Sequence, residues 1–299
     1  MPKTATIVIS GSLDWSNLPK LLRQLEPLAN EQAGSVILDL SDVAWCCPIG
    51  VATLAASVYW LAKRGFKLRG LRPTRSDIER YLERIDFYRV LKAPDQFVFN
   101  RYDSSGRFVE LIHLTRIEDC MDVVRRVNEV LWSQLNLSDR TMNALDTVVG
   151  ELTENIFHHA QSAAGGFLCC QSYATDIQLA FVDLGRGIER ALAENPEMVL
   201  AMQQNGVLQT ALQAGTTGRP THNAGYGLFL TSELIKDNRG LLGIQSYDRR
   251  LFQHGHVKIE KVVSNWPGTA IHLKFLRNRP LDILEVYKRL PKLADEMPF

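Results

Sequence analysis

The chain has 299 residues, of which 45% are hydrophobic and 22% are charged, and its formal net charge is +1 at pH 7. These ordinary globular values exclude a disordered or collagen-like chain, and the length predicts about two domains. The near-neutral charge argues against a protein that wraps nucleic acid, because such proteins usually carry a strong basic excess.

The first hundred residues alternate strand and helix patterns, which predicts a small α/β domain. The predicted strands cover residues 4–10, 35–40 and 66–70, and the predicted helices cover residues 17–29, 51–63 and 75–85. Basic residues concentrate between Lys63 and Lys92. They do not form an aromatic-interleaved stacking motif, so we interpret them as a solvated surface and expect no nucleic-acid partner.

Residues 43–62 contain no charged side chain, and a stretch of about 20 apolar residues is long enough to span a membrane. Pro48 and Gly50 would break a spanning helix, and the many alanines give a weak drive for insertion. We therefore predict a buried strand end followed by a buried helix. The N-terminus also lacks the apolar core of a signal peptide, so we expect a cytoplasmic protein with no membrane partner.

The five cysteines do not form a disulfide framework. Their number is odd, and four of them form the adjacent pairs Cys46–Cys47 and Cys169–Cys170. Adjacent pairs also lack the spacing of a zinc site. We predict buried free thiols.

Residues 92–107 are rich in turn-forming side chains and contain one candidate strand at 96–101, which indicates a junction. Beyond it, strands are predicted at 107–114, 167–173, 176–183, 241–247 and 269–276, and helices at 117–135 and 139–160. Ser138 is the predicted cap of the second helix. Residues 188–223 are polar and irregular, which is typical of a functional or mobile segment. The chain ends in a predicted helix broken by Pro291.

Three polar side chains lie along one stripe of the second long helix. Glu151, Asn155 and His159 are four residues apart, so they stack beside the apolar stripe that packs on the sheet. A carboxylate can accept a proton or orient a nucleophile, and an amide oxygen suits Mg²⁺. The stripe is a candidate ligand site, although such residues are more often only solvated.

Three glycine-containing segments follow along the chain. Asp183 ends an apolar strand and is followed by Gly185 and Gly187. The segment therefore combines a carboxylate with glycines that let a flat ring approach the backbone closely. Gly225 and Gly227 open a helix before Leu228, and amides at such a helix start favour phosphate. Thr269 enters the last strand, where its hydroxyl could face the same pocket.

Taken together, these segments resemble the ATP-binding domain of the GHKL superfamily, which includes gyrase-type ATPases, sensor histidine kinases and anti-sigma-factor serine kinases. The match covers about residues 107–278. Glu151-Leu-Thr-Glu-Asn155 resembles the Glu-x-x-x-Asn motif of that family. Asp183-Leu-Gly-Arg-Gly187 resembles Asp-x-Gly-x-Gly, and Gly225-Tyr-Gly227-Leu228 resembles Gly-x-Gly-Leu.

The resemblance implies binding of ATP with Mg²⁺ and assigns a role to each matching residue. Asn155 would hold Mg²⁺, Asp183 would accept the adenine amino group, and Glu151 would orient a water or a substrate hydroxyl. The implied nucleotide contacts also include Gly185, Gly187, Gly225, Gly227, Leu228, Thr269 and His159. Residues 189–224 would form the ATP lid.

One departure from the family pattern is Phe229, which stands where histidine kinases often have glycine. No phosphoacceptor-histidine helix precedes the domain either, so the resemblance is closest to the anti-sigma-factor serine kinases.

The N-terminal region, residues 4–92, resembles the STAS domain of anti-sigma-factor antagonists. The segments that carry this resemblance are residues 36–54 and residues 63–71, which contain basic residues and glycines. In that family a serine at the start of a helix is phosphorylated by a GHKL serine kinase. Pro48 falls at that position, so this loop has no hydroxyl to phosphorylate. The resemblance therefore implies a degenerate STAS-like domain and a protein partner from a STAS or sigma-factor pathway.

The predicted fold class is α/β: a STAS-like domain at 1–95, a junction at 96–106, a GHKL sandwich at 107–280 with a mixed sheet and helices on one face, and a helical tail at 281–299. One hypothesis is an ATPase or a serine/threonine protein kinase. A second is a nucleotide-gated interaction module without turnover, and a third is a STAS-like effector with a dead nucleotide fold. Relatives of the GHKL type are commonly dimers, so a homodimer stays an open alternative.

Overall fold

The computed structural model describes residues 4–91, 108–134, 138–158, 160–162, 164–218 and 225–290. Within these ranges the chain is a mixed α/β protein whose strands form three sheets, which confirms the predicted α/β class at that level. The candidate strand at 96–101 and residues 291–299 lie outside the described residues.

The N-terminal part alternates short strands with helices. Its strands are β1 (Thr4–Val8), β2 (Gly11–Leu13), β3 (Gly34–Asp39), β4 (Val43–Cys46) and β5 (Phe66–Leu71). Its helices are α1 (Leu18–Leu25), α2 (Pro48–Lys63), α3 (Ser76–Arg84) and α4 (Phe87–Val90), with a 3-10 turn at Glu26–Asn30. The strands β1, β3 and β5 form one parallel sheet in that order, and β2 pairs with β4 in a second.

The uncharged stretch at 43–62 forms β4 and most of α2, as predicted. Pro48 is the first residue of α2, where proline is tolerated because its missing N–H would have no helical partner. The helix is apolar on nearly all sides and most of its residues are buried, because it packs between two sheets. Among the described residues, no helix is long and apolar enough to cross a membrane.

The C-terminal part builds one larger sheet. Its strands are β6 (Phe108–Leu114), β7 (Gly166–Ser172), β8 (Asp176–Asp183), β9 (Leu241–His254) and β10 (Val257–Leu276). Its helices are α5 (Asp119–Gln134), α6 (Asp139–His158), α7 (Gly187–Leu192), α8 (Pro196–Asn205), α9 (Val207–Ala211), α10 (Gly227–Asn238) and α11 (Ile283–Tyr287). The Oγ of Ser138 accepts the Thr141 N–H at 3.3 Å, so the predicted cap of α6 is present.

The prediction of a mixed sheet is wrong. The strand order is β6-β7-β8-β10-β9, and every neighbouring pair is antiparallel. The strands β8 and β9 run in the same direction, as a strand-helix-strand connection would suggest. They do not pair because β10 returns from a hairpin and inserts between them.

The two faces of this sheet are both buried, because side chains alternate along each strand. Leu168, Leu179 and Phe181 belong to the core shared with α5, α6 and α10. Phe167, Ala180 and Val182 belong to the core shared with the N-terminal part. The continuous apolar runs in β7 and β8 follow from this double burial.

The cysteines fit the same pattern. Cys169 and Cys170 are neighbours in β7, so they point to opposite faces and belong to different cores. All five cysteines are buried and free, as predicted. Burial raises the pKa of the Cys170 thiol to about 12, which keeps it protonated.

The N-terminal part is docked on the back of the large sheet. Helix α2 packs against β7 and β8, and α1 packs against β10. The ring of Trp15 stacks on His272 with centroids 6.1 Å apart, and the guanidinium of Arg250 lies 4.1 Å above the Trp15 ring. Arg250 also donates a hydrogen bond to the Trp15 carbonyl. The helices of the C-terminal part cover the front face.

Two segments differ from the predicted elements. The last two strands were predicted as short, but β9 and β10 extend into a long hairpin with bulges near Trp266. The segment predicted to be irregular, 188–223, contains α8 and α9 and most of α7. Asn195 caps α8 through the Glu197 N–H at 3.1 Å and Pro196 is its first residue, so an Asn-Pro pair that is typical of turns begins a helix here.

Candidate functional site

A cavity of about 190 Å³ lies at the end of β8, between α6 and the start of α10. A single water needs roughly 10–15 Å³ of such space, so the cavity is of ligand size. The predicted site residues that line it are Glu151, Asn155, Asp183, Gly187, Gly225, Gly227, Leu228 and Thr269. The fold thus brings together residues from four separate segments of the chain.

Asp183 forms a buried carboxylate at this cavity. It is the last residue of β8, and its Oδ1 accepts the N–H groups of Gly185 at 2.8 Å and Thr269 at 3.2 Å. The indole Nε1 of Trp266 donates to the Asp183 carbonyl at 3.2 Å. These bonds fix both the backbone and the side chain, so the carboxyl group has one defined position.

The burial of Asp183 changes its protonation. Loss of water raises the pKa of this carboxyl group to about 7, and the hydrogen bonds from Gly185 and Thr269 only partly oppose that effect. The group therefore exchanges its proton near neutral pH. A carboxylate held in this way accepts a hydrogen bond strongly, because little water competes for it.

Thr269 lies beside Asp183, as the resemblance implied, and a further hydroxyl supports it. The Oγ of Ser246 in β9 lies 3.4 Å from the Thr269 Oγ1 and accepts the Ile188 N–H at 2.9 Å. Ser246 thus connects β9, β10 and α7 at the edge of the cavity. No local pattern indicates this role for Ser246, because the register that places it there depends on the β9–β10 pairing.

Glu151 approaches the start of α10 closely. A Cβ atom at Gly227 would collide with Oε2 of Glu151, so a larger residue there would displace this carboxylate from its present position. The Glu151 side chain keeps access to solvent. Its pKa is raised, first by the protein packed around it and then by the nearby Glu154 carboxylate. A raised pKa makes a carboxylate a better proton acceptor at neutral pH.

Asn155 lies one turn after Glu151 on α6 and lines the same cavity. Within the described ranges, no group of three or more His, Cys, Asp or Glu side chains could hold a metal ion. Mg²⁺ bound with a nucleotide takes most of its ligands from phosphates and water, so one or two protein oxygens are enough. The side-chain oxygen of Asn155 fits that requirement.

Among the predicted site residues that the structure describes, one does not line the cavity. Gly185 acts through its N–H on the Asp183 carboxylate, and a Cβ atom there would collide with the Ala160 carbonyl. His159 lies outside the described residues. The remaining predicted positions line the cavity itself.

Several residues lining the cavity were not among the candidate site residues, although 216–218 fall within the segment 189–224 that the resemblance assigns to the ATP lid. Thr216, Thr217 and Gly218 reach it from the segment after α9, and Tyr226 precedes α10. The Asn195 side-chain amide donates to the Thr217 carbonyl at 3.2 Å and ties this segment to α8. The Gly-Thr-Thr-Gly sequence at 215–218 signals a turn, but its place depends on folding of the whole segment.

Gly187 begins α7 with a φ of +73°, a backbone conformation that residues other than glycine rarely adopt. A Cβ atom would also collide with the Tyr247 ring. Tyr247 in turn lies under the Arg190 guanidinium, 4.9 Å from the ring centroid. Tyr247 packs against the first turn after Asp183, and no local sequence pattern indicates that role.

The start of α2, where the STAS resemblance places a phosphorylated loop, has a different environment. Cys47, Pro48, Ile49 and Gly50 are all buried. A Cβ atom at Gly50 would collide with the backbone carbonyl of Leu13. This loop therefore lacks a hydroxyl and is also covered by the neighbouring strand.

Comparison with models of known protein families gives no match for this chain. A comparison with curated proteins gives no significant match. The GHKL and STAS resemblances therefore rest on the motifs quoted above.

Proposed function

We propose that this chain binds Mg-ATP in the cavity between α6 and α10 and transfers the terminal phosphoryl group. The acceptor is water or a serine or threonine hydroxyl of a partner protein. The observation that carries the proposal is the meeting of Glu151, Asn155, Asp183 and Gly227 at one cavity, because these residues come from distant parts of the chain.

The adenine base fits the end of the cavity at Asp183. Phe181, Leu192 and Ile271 supply apolar walls there, and the carboxylate supplies one strong acceptor for an exocyclic amine. The neighbouring Thr269 hydroxyl adds a second polar group. A flat apolar ring with an amino group suits this combination, since a few placed polar groups in an apolar pocket define orientation.

The phosphates fit the other end, where α10 begins at Gly227. The first amides of a helix have no helical partner and favour negative charge. Asn155 would hold Mg²⁺ at this end with one amide oxygen. When bound, the ion neutralises charge on the phosphates.

Glu151 is the residue that distinguishes turnover from binding. Its carboxylate lies beside the start of α10 and has a raised pKa, so it can orient an attacking hydroxyl and accept its proton. Binding alone does not need this group. The buried start of α2 has no hydroxyl, so a protein substrate would lie on another chain, such as a STAS protein in the cytoplasm.

The test compares Glu151→Ala with Glu129→Ala, a matched change at an exposed position on α5. We expect both variants to bind Mg-ATP within about twofold of wild type by calorimetry, and only Glu151→Ala to lose phosphate release or transfer to added STAS proteins. Turnover that persists in Glu151→Ala would contradict the assigned role.

A wild-type protein that binds Mg-ATP without any turnover would favour the nucleotide-gated interaction module. A wild-type protein that does not bind Mg-ATP at all would contradict the proposal as a whole. The dead nucleotide fold would then be the remaining hypothesis.

A further inference from the structure

Helix α5 carries an apolar stripe on its solvent side. Met121 is 79% exposed and Trp132 is 61% exposed, and both belong to this helix. The eleven residues from one to the other make almost three whole turns, so the two side chains project from the same face, about 16 Å apart. Large apolar side chains that share one exposed face, rather than standing singly, indicate a contact surface.

This stripe is separate from the face that holds α5 on the protein. Val123, Val127 and Leu131 are buried in the core that α5 shares with α6 and the large sheet. Val124, which is partly buried against that core, lies between the two faces. A surface helix with one partner needs one apolar face. Packing within the described part of the chain therefore does not account for the second apolar face of α5.

Charged side chains flank the middle of the stripe. Arg125 donates hydrogen bonds to Asp122, at 2.5 Å, and to Glu129, and all three side chains are exposed. Arg125 and Glu129 are four residues apart, so they occupy adjacent turns on one side of the helix. A cation and a carboxylate thus follow one another between the two apolar ends.

The order of these residues is self-complementary. When two identical helices pack antiparallel about a two-fold axis, each residue faces the residue that lies equally far on the other side of the axis. With the axis between Arg126 and Val127, Met121 of each copy faces Trp132 of the other. A thioether packs favourably on an aromatic ring, and this arrangement makes that contact twice.

The charges agree with the same register. Arg125 lies beside Glu129 of the second copy, and Glu129 lies beside Arg125 of the second copy, so opposite charges meet twice across the axis. No charged residue of α5 is opposite a like charge in this register. A parallel pair of helices would instead place Arg125 against Arg125 and Glu129 against Glu129.

We propose that the exposed stripe of α5 binds a second copy of this chain, with the two α5 helices antiparallel. One helix from each copy forms a small contact, and interfaces below about 1,200 Å² are typical of transient complexes. The dimer is therefore reversible. The stripe includes no residue that lines the cavity at Asp183, so changes on it should leave Mg-ATP affinity unchanged.

Sedimentation velocity of the full chain over a range of concentrations tests the contact. We expect a species of twice the 33.7 kDa chain mass that dissociates on dilution. Trp132→Glu should weaken the dimer by about tenfold or more, because it places a charge in the apolar contact. Leu200→Glu is the matched control, since Leu200 is 62% exposed on α8, and it should leave the dimer unchanged. Circular dichroism checks that each variant is folded.

Charge exchange tests the antiparallel register. Arg125→Glu alone should weaken the dimer because it brings carboxylates together across the axis, and Glu129→Arg alone should weaken it because it brings guanidinium groups together. An equimolar mixture of these two variants should form the mixed dimer, in which both contacts again join opposite charges. Mixing would not rescue a defect in the stability of the helix itself.

Three results would overturn parts of this proposal. A wild-type chain that stays monomeric at about 100 µM, well above the range expected for a weak dimer, would overturn it as a whole. A dimer that Trp132→Glu does not weaken, or that Leu200→Glu weakens equally, would place the contact on another surface. Single charge variants that do not recover the dimer when they are mixed would overturn the antiparallel register.

Discussion

The two faces of β8 follow the same alternation of side chains but serve different purposes. On the front, Phe181 and Asp183 line a cavity. On the back, Ala180 and Val182 pack against the N-terminal part with no exposed surface. The back face is continuous packing, whereas the front face has open space next to a buried carboxylate.

The front face is less favourable for stability than the back face, because it leaves space for a site. A buried carboxylate beside empty space costs free energy, and a close-packed face gains it. We therefore expect substitutions on the back face to change stability and leave ligand affinity unchanged. Substitutions on the front face should instead change ligand affinity. The following predictions test that contrast.

The largest effect is expected for Phe167→Ala on the back face. Phe167 is 1% exposed and packs edge-on to Tyr59 of α2, with ring centroids 6.0 Å apart. Removing a buried phenyl ring should lower the free energy of unfolding by about 3–5 kcal/mol. Denaturant unfolding measures this loss. Phe167→Leu, which keeps most of the side-chain volume, should lower the free energy of unfolding far less. If Phe167→Ala also weakened Mg-ATP binding, the proposed contrast between the two faces would be wrong.

Asp183→Asn on the front face should weaken Mg-ATP binding by roughly 30- to 150-fold, or about 2–3 kcal/mol, because a charged acceptor is lost from a buried site. Calorimetry measures the affinity. Asp176→Asn, the same change at the other end of β8, is the control and should leave affinity unchanged. If both variants bind nucleotide normally, Asp183 does not contact the base.

The pKa of Asp183, about 7, predicts a pH dependence of binding. Its ionised fraction rises about tenfold between pH 6 and pH 8, so Mg-ATP affinity should rise by about the same factor. Without ligand, the stability of the protein changes with pH in the opposite direction to the affinity. The folded protein holds this proton more tightly than the unfolded chain, so the free energy of unfolding should fall as pH rises from about 4 to about 7. Neither the rise in affinity nor the fall in the free energy of unfolding should occur in Asp183→Asn. Any pH dependence of affinity that remains in this variant measures titration of the ATP phosphates.

The smallest effect is expected where the two faces are connected. Trp266 belongs to the back-face core, yet its indole N–H donates to the Asp183 carbonyl. Trp266→Phe should lower the free energy of unfolding by about 1 kcal/mol and weaken Mg-ATP binding less than fivefold. Trp15→Phe, on the same face without that bond, should affect stability alone. Identical affinities for the two variants would show that the faces are uncoupled.

Local patterns predicted much of this molecule. The apolar run at 43–62 has no charge because it is buried on more than one side, and the strand ending in Asp183 was predicted with its exact end. Glu151 and Asn155, which share the polar stripe on α6, both line one cavity. These features depend on residues close in sequence, where periodicity and capping are informative.

The parts that could not be predicted depend on contacts between distant segments. Insertion of β10 between β8 and β9 made the sheet antiparallel, and no local pattern encodes that order. Ser246 and Tyr247 reached the cavity region only through the hairpin register. Docking of α2 on the back of β7 and β8 likewise depends on matching surfaces formed by both parts of the chain.

The long hairpin has a consequence for the wall of the cavity. Glu260, near the start of β10, accepts the N–H groups of Leu208 and Gln209 at 3.2 and 3.0 Å and so anchors α9 to the sheet. Ala211, the last residue of α9, lines the cavity. The tip of the hairpin therefore holds part of the cavity wall in place, although Glu260 itself is not among the residues that line it.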